Sequence, residues 1–286
     1  MVIMSTYLNK DFGAANYAKF RPKYPTNLFD YIAKYHSTNT NAPLDLTVDI
    51  ACGTGQATQA LGKYSTKVIG VDHSETMVKQ AREDIKSSQF EFKVASDLNL
   101  GEEVGHSGAV DLVTVAEGAH YFHYPEFWEQ AAGLLRPGGT LAIFGYSLFA
   151  VPDHPEIAAI IDDFANSDNK CGPYFDKGWS VIRDGYRELL DSIPRSDFEA
   201  IEYHFNDYDA FRPDDVFELT RENVSIGSMI SLLKTWSSYF NFARAHPEVP
   251  DIADAVMDEI TKKTGLRADD IVSVKWRSVY LLASKK

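Results

Sequence analysis

The stretch that decides the fold is Val48-Asp49-Ile50-Ala51-Cys52-Gly53-Thr54-Gly55-Gln56, in which a short apolar run ends in a turn of small residues. The run predicts a buried strand, and the residues from Ala57 onward predict a helix. Small residues let a ligand approach the backbone closely, and the start of a helix presents free N–H groups with a partial positive charge. The stretch therefore predicts a strand, a ligand-binding turn and a helix in succession.

Strand-like and helix-like runs alternate from about residue 47 to residue 146, which is typical of an α/β fold with a parallel sheet. Ser74 predicts a helix N-cap, followed by Met77 and Ala81 on one apolar face. Ligands of such sheets bind beyond the carboxyl ends of the strands. The predicted strands cover residues 47–51, 67–72, 90–94, 110–115 and 140–145, with two more at 198–205 and 271–282.

The 286-residue chain has 28 basic and 41 acidic residues, a formal net charge of −13, and is 44% hydrophobic. This composition is typical of a soluble globular protein and not of a disordered one. Because no cation cluster is present to bind phosphates, nucleic acid is not an expected partner. Two distant cysteines, Cys52 and Cys171, favour a reducing compartment. With no signal pattern and no apolar run of about 18 residues, we expect a cytoplasmic protein without a membrane span.

Acidic residues follow the second and third predicted strands. Asp72 lies 19 residues beyond Gly53, a spacing at which a carboxylate accepts hydrogen bonds from both hydroxyls of a ribose. A helix N-cap is the alternative for a lone Asp at a strand end. Asp97 is suited to accept from an adenine amino group, with Leu98 over the ring. A nicotinamide loop would require a third glycine where Thr58 stands, which disfavours that cofactor.

Taken together, four segments resemble the class I S-adenosylmethionine-dependent methyltransferases. They are residues 48–55, Val71-Asp72, Ser96-Asp97 and the Leu134-Leu135-Arg136-Pro137-Gly138-Gly139-Thr140-Leu141 lead into the fifth strand. The resemblance covers residues 45–146, about a third of the chain. It implies a Rossmann-like α/β sheet of seven strands in the order 3-2-1-4-5-7-6, with strand 7 antiparallel. It also implies S-adenosylmethionine as the cofactor.

The same resemblance implies which residues bind the cofactor. Asp49 and the glycine turn are expected around its methionine end, Asp72 at the ribose and Asp97 at the adenine. Ala51 stands where a glycine is more usual. The expected cofactor-binding residues are Asp49, Ala51, Gly53, Thr54, Gly55, Asp72, His73, Asp97, Leu98, Glu117 and Ala119.

Two outer segments are similar to the trans-aconitate methyltransferase group and its fungal, trans-aconitate 3-methyltransferase-like relatives. They are the Tyr-x-x-x-Arg-Pro-x-Tyr-Pro pattern of Tyr17 to Pro25 and the stretch Thr235-Trp236-Ser237-Ser238-Tyr239. This similarity implies a small organic acid as the methyl acceptor. The expected organisation is a single domain over 1–286. Its parts are a lid (1–40), a cofactor-binding core (45–146) and two substrate-side helical insertions (147–197 and 210–268).

Methyl transfer from a sulfonium to an ionised carboxylate requires no acid or base, so the protein must align the reactants and exclude water. Arg21 is the candidate carboxylate clamp, because a guanidinium matches two oxygens; a surface ion pair is the alternative. Tyr17 is expected either to lie beside Arg21 over the methionine part of the cofactor or to pack the lid. His120, after the fourth strand, is expected to contact the acceptor or to act as a base for a hydroxyl acceptor.

Tyr146, Trp236 and Tyr239 are candidate walls of the acceptor pocket, although aromatic residues at such spacing are more often core. Glu117, His120 and His123 have a metal-like spacing, but no fourth ligand is evident and no metal is expected. The predicted activity is carboxyl O-methylation of a small organic acid. A hydroxyl or lactone-derived acceptor, a nicotinamide-dependent oxidoreductase and a non-catalytic cofactor-binding regulator remain alternatives, and the oligomeric state is not predicted.

Overall fold

The computed structural model describes residues 6, 20–40, 42–207 and 217–286. Within these residues the chain forms a single mixed sheet. Its strands are β1 (Leu44–Ile50), β2 (Ser65–Asp72), β3 (Phe90–Val94), β4 (Val110–Ala116), β5 (Leu135–Ala150), β6 (Phe198–Asn206), β7 (Thr220–Ser225) and β8 (Ile271–Lys285).

The strand order is β3-β2-β1-β4-β5-β8-β6, with β7 paired to β8 outside this path. Strands β1 to β5 pair in parallel, and β8 is antiparallel to both β5 and β6. The predicted topology is therefore confirmed, with the last strand inserted between the fifth and the sixth. A parallel sheet of this kind brings the carboxyl ends of β1 to β5 to one edge.

The sequence analysis did not predict one of the strands, β7. Residues Thr220–Ser225 were predicted to lie in a helical insertion, but they pair antiparallel with the start of β8, from Thr220 opposite Lys275 to Ser225 opposite Ile271. The first four residues of β7 are exposed. An exposed edge strand lacks the alternation of apolar and polar residues that identifies a half-buried strand, so its sequence gave no signal.

Helices cover both faces of the sheet, since neighbouring residues of one strand, such as Ile143 and Phe144, belong to two different apolar cores. The predicted N-cap is confirmed, because Ser74 Oγ accepts a hydrogen bond from the Met77 N–H at 3.4 Å. The helices are α1 (Thr26–Thr40), α2 (Gln56–Leu61), α3 (Glu75–Asp84), α4 (Leu100–Val104), α5 (Glu126–Leu134), α6 (Glu156–Asn166), α7 (Trp179–Arg183), α8 (Arg187–Ser192), α9 (Ile226–Leu233), α10 (Ser237–Ala245) and α11 (Ile252–Thr264).

Strand β5 is much longer than the predicted 140–145. It begins at Leu135, directly after α5, and its pairing with β8 is irregular between Tyr146 and Phe149. The residues beyond Gly145 are buried. The extension carries Tyr146 and Ser147 past the carboxyl end of β4, into the region where ligands of such sheets bind.

A polar network fixes the opposite edge of the sheet. Asp111 accepts hydrogen bonds from the backbone N–H groups of Asp45 and Leu46 through Oδ2, and from Arg136 Nε through Oδ1 at 2.6 Å. Arg136 Nη2 in turn lies 3.2 Å from His36 Nε2. These contacts join the amino ends of β1, β4 and β5. In the described ranges, every helix is too short or too polar to cross a bilayer.

Candidate active site

The turn after β1 contains three residues in the left-handed backbone region, Ala51 and Gly53 at φ 56° and Gly55 at φ 90°. The φ of Gly55 strains any other residue, and a Cβ there would lie 2.6 Å from Ile85 Cδ1, so the end of the Ile85 side chain would have to shift. At Gly53, apart from its two chain neighbours, none of the described residues has an atom within 4 Å of the Cβ position. Among the described residues, the turn therefore packs on its inner side at Gly55 and is open at Gly53, as a ligand cradle requires.

The residues beside this opening also fit a polar ligand. Thr54 Oγ1 donates to Gln56 Oε1 at 3.1 Å. The amide nitrogen of Gln56 is buried and, among the described residues, has no hydrogen-bond partner. Buried donors in proteins are normally satisfied. A ligand with acceptor oxygens would satisfy this one.

Asp72 joins the end of β2 to the turn. Its Oδ2 accepts from the Gly53 N–H at 2.9 Å, and its Oδ1 accepts from the Ser74 N–H at 2.8 Å. Burial raises the pKa of Asp72, and these two backbone donors oppose that shift. Each carboxylate oxygen accepts more than one hydrogen bond, so both retain capacity for ligand hydroxyls. His73, which follows, is exposed.

Asp49 lies inside the protein and not on the surface of the crevice. Its side chain is fully buried, with Oδ2 accepting from Thr58 Oγ1 at 2.6 Å and Oδ1 from Thr114 Oγ1 at 2.7 Å. Burial raises the pKa of Asp49 to about 6, although the two threonine hydroxyls oppose the shift. The carboxyl group thus connects β1, α2 and β4 directly beneath the turn.

The loop after β3 is attached to the loop after β4. Asp97 Oδ2 accepts from the His123 N–H at 2.7 Å and lies 3.0 Å from His123 Nδ1. The neighbouring Leu98 is an apolar side chain with 46% of its surface exposed. An exposed leucine at this edge of the sheet provides the kind of surface on which a ligand ring can lie.

Glu117 begins the loop after β4 in the left-handed region, at φ 61°. Its Oε1 accepts from the Tyr146 N–H, and a Cβ on Gly145 would lie 2.5 Å from that oxygen. Burial raises the pKa of Glu117 to about 7, while the Tyr146 N–H and the charge of Arg21 oppose the shift. Non-glycine residues in this backbone region concentrate at functional sites.

The next residues bring this loop against the turn after β1. A Cβ on Gly118 would lie 2.3 Å from Ala51 Cβ, so only glycine allows the two loops to touch. Ala119 is fully buried. His120 Nδ1 lies 3.0 Å from Tyr186 Oη. Burial, with a contribution from the Arg21 charge, lowers the pKa of His120 to about 3, so the imidazole is neutral at physiological pH.

Arg21 extends from the amino-terminal segment to this loop. Its Nη1 donates to Tyr146 Oη at 3.5 Å and its Nη2 to the Thr235 carbonyl at 3.3 Å. The guanidinium therefore links β5 to the region before α10. It lines a cavity together with four other residues predicted for the site, which are Glu117, His120, Tyr146 and Trp236, and with Ser237.

Comparison with known proteins identifies the enzyme activity. A family model described as a methyltransferase domain matches residues 48–143, which contain the turn after β1 and the loop after β4. The protein named "Probable S-adenosylmethionine-dependent methyltransferase CRG1" of Saccharomyces cerevisiae is 29% identical over 294 residues, with 99% of each chain covered. The chain is an S-adenosylmethionine-dependent methyltransferase with the class I fold. The nicotinamide-dependent oxidoreductase considered from the sequence is therefore not supported.

One further relative agrees with this methyltransferase assignment, and one solved structure agrees with the fold. Trans-aconitate 2-methyltransferase of Rhodopseudomonas palustris is 26% identical over 277 residues, covering 96% of this chain and 88% of the relative. A solved structure from Anaeromyxobacter dehalogenans has a TM-score of 0.69 and 22% identity. It covers 92% of this chain and 97% of that chain. This last likeness shows the fold.

Not every predicted residue of the methyltransferase site reaches the cavity. Tyr239 is absent from the lining described for it, and its hydroxyl contacts Asp251 instead. Tyr17 lies outside the described residues, so its role stays a prediction. The sequence analysis missed five lining residues, which are Tyr121, Ser147, Asp176, Trp179 and Ile182.

Two of the residues that line the cavity form a stacked aromatic pair. The rings of Phe175 and Trp179 are 4.0 Å apart and inclined by 5°, and Trp236 approaches both at 6.0 and 6.4 Å. Asp176, between them in sequence, accepts from Thr6 Oγ1 at 2.8 Å and so attaches the start of the chain to the cavity. In the sequence, the only signal for this wall of Phe175, Trp179 and Trp236 is the frequency of aromatic residues, because the contacts of the wall join distant segments.

Proposed function

We propose that this methyltransferase methylates a carboxylate oxygen of a small organic acid and so forms a methyl ester. The observation that supports this most directly is Arg21, whose guanidinium lines the cavity next to the loop that touches the cofactor turn. A planar guanidinium is well matched to a carboxylate. The similarity to a trans-aconitate 2-methyltransferase adds support, at 26% identity.

Under this proposal the cofactor lies along the carboxyl ends of β1 to β4. Asp72 holds the ribose hydroxyls, Leu98 covers the adenine, and the open face at Gly53 with the Gln56 amide receives the methionine part. S-adenosylmethionine supplies a methyl group on a sulfonium, and its leaving group is a neutral thioether. The loop carrying Gly118 packs on the cofactor turn and also lines the cavity, so the methyl group would face the acceptor beside this loop.

An ionised carboxylate is already a nucleophile, so the chain needs no base to activate it. Its task is to hold an acceptor oxygen in line at about 3 Å from the methyl carbon and to exclude water. Arg21 fixes the carboxylate, while the aromatic wall of Phe175, Trp179 and Trp236 excludes solvent. Arg21 thus orients the acceptor, and the aromatic rings remove water from around it.

A hydroxyl acceptor is the second candidate, favoured by one observation. Glu117 lines the cavity with a pKa of about 7, which is suitable for a general base at neutral pH. His120 is less suitable for that role, because a pKa of about 3 makes its imidazole a weak base. Methylation of a hydroxyl would therefore rely on Glu117 and would give an ether.

The two candidates are distinguished by the stability of the product. The enzyme is incubated with methyl-labelled S-adenosylmethionine and a panel of mono-, di- and tricarboxylic acids, including trans-aconitate, together with hydroxy compounds of similar size. Methyl esters release labelled methanol in mild alkali, whereas ethers do not. We expect alkali-labile label. Label that survives alkali would contradict the ester proposal.

A further inference from the structure

Glu117 and Arg21 line the same cavity but bind different partners. Glu117 Oε1 accepts from the Tyr146 N–H, and in the described part of the chain no group donates to Oε2. The described hydrogen bonds of Arg21 go to the Tyr146 hydroxyl and the Thr235 carbonyl. Arg21 still acts on Glu117 through its charge. A ligand that enters the cavity therefore meets a cation and a carboxyl group with one oxygen available.

An acceptor carboxylate in this place would add a second negative charge beside Glu117. Two carboxylates that share a buried site do not both ionise, and one of them keeps a proton. Burial raises the pKa of Glu117 to about 7, whereas an ordinary carboxylic acid ionises near pH 4. The proton therefore resides on Glu117, and the acceptor remains the ionised nucleophile.

The other groups around Glu117 leave this proton in place. His120, in the same loop, has a lowered pKa and stays neutral, and burial holds the Tyr186 hydroxyl, at the start of α8, in its neutral form by raising its pKa. Asp176 also lines the cavity, and its carboxyl oxygens accept from the Thr6 N–H and Thr6 Oγ1. Among the described residues that line this cavity, Arg21 is the one whose charge opposes the proton.

We propose that Glu117 binds the acceptor as a neutral carboxylic acid, so that the acceptor carboxylate lies between the Arg21 guanidinium and the Glu117 hydroxyl. This inference rests on the proposed ester-forming function. The Oε2–H group donates to one acceptor oxygen, while Oε1 keeps its bond to the Tyr146 N–H. Glu117 is thus an acceptor-binding residue that selects an ionised acid and needs its own proton to do so.

The test is the pH profile of acceptor kcat/KM in wild type and in Glu117→Gln. The amide keeps an Oε1 acceptor for the Tyr146 N–H and places an N–H donor where the carboxylic acid has its O–H. Wild-type kcat/KM should fall as pH rises above about 7, approaching tenfold per pH unit, as Glu117 loses its proton. Glu117→Gln should retain kcat/KM within about threefold of wild type at pH 6 and show no such fall.

Two further variants serve as controls. Glu102→Gln, at an exposed position of α4, removes the same charge from the surface and should keep the wild-type profile. Glu117→Ala removes both the donor and the support for Tyr146, and should lose acceptor kcat/KM at every pH. Calorimetry with S-adenosylmethionine checks that each variant folds and binds the cofactor.

A loss of about 100-fold at every pH in Glu117→Gln, with cofactor affinity unchanged, would overturn the inference, because it would show that Glu117 acts as an anion or a base. A wild-type kcat/KM that rises through pH 7 would overturn it as well, and this measurement uses the wild-type enzyme alone. Failure of the proposed function is detected separately, because the methyl label in the wild-type product would then survive mild alkali.

Discussion

Replacing Asp49 with Asn should make the protein more stable at neutral and alkaline pH. The Asp49 carboxyl group is fully buried, and its partners are the hydroxyls of Thr58 and Thr114. An asparagine has nearly the same shape and cannot ionise. One threonine hydroxyl can donate to its Oδ1, and the other can accept from its Nδ2, because hydroxyls do both.

The magnitude follows from the pKa of Asp49. Burial raises this pKa from 3.8 to about 6, so the folded state binds the proton more tightly than the unfolded state. The raised pKa therefore leaves the free energy of unfolding unchanged below about pH 4. It lowers that free energy progressively between about pH 4 and 6, and by the full amount at higher pH. A shift of about two pKa units corresponds to about 3 kcal/mol. The Asn variant should gain this amount at pH 8 and almost nothing near pH 4.

Urea unfolding followed by tryptophan fluorescence, without cofactor, measures the difference across this pH range. Asp45→Asn is the matched control, since Asp45 is an exposed residue of the same strand; its effect should stay within about 0.5 kcal/mol at every pH. An Asp49→Asn variant that is less stable than wild type at pH 8 would refute the reasoning. So would a gain that does not depend on pH, because ionisation could not cause it.

Three other substitutions test separate parts of the structure. Asp72→Ala should weaken S-adenosylmethionine binding by about 1–3 kcal/mol, the scale of hydrogen bonds to a charged group; an unchanged Kd in calorimetry would remove Asp72 from the cofactor site. Arg21→Ala should raise the acceptor KM far more than the cofactor Kd, and the reverse pattern in steady-state kinetics and calorimetry would place Arg21 at the cofactor instead. Asp111→Ala removes the carboxylate that binds Arg136. It should lower the free energy of unfolding, measured by urea denaturation, by about 3 kcal/mol. Because this network lies at the far edge of the sheet, a large change in cofactor Kd of folded Asp111→Ala would contradict the separation of the two edges.

The turn proposed to hold the cofactor could be predicted because its signals are local. It follows its strand directly, and the φ values and contacts of its glycines arise within one strand–turn–helix unit. Asp72 was predicted by its spacing from Gly53, and the two residues are hydrogen-bonded in the structure. The sequence did not predict that Asp49 is buried beneath the turn, because an acidic residue beside a glycine turn is expected to be exposed.

The acceptor cavity could not be predicted to the same depth, because its contacts join remote segments. Arg21 bonds to Tyr146 and Thr235, which are 125 and 214 positions away, and His120 meets Tyr186 across 66. No periodicity within a short window encodes such pairs. The irregular extension of β5, which carries Tyr146 to the site, was also invisible in the sequence.

The proposed acceptor cavity and the proposed cofactor turn are built largely from different parts of the chain. Gly118 packs on Ala51 where the loop after β4 meets the turn, while most of the cavity wall comes from segments after residue 145. If the cavity holds the acceptor as proposed, substitutions at Phe175, Trp179 or Trp236 should alter acceptor contacts without touching the turn. Residues far apart and without shared partners act nearly independently. We therefore expect acceptor preference to diverge between relatives while S-adenosylmethionine binding is retained, because the acceptor would be recognised by the part of the sequence with the weakest local signals.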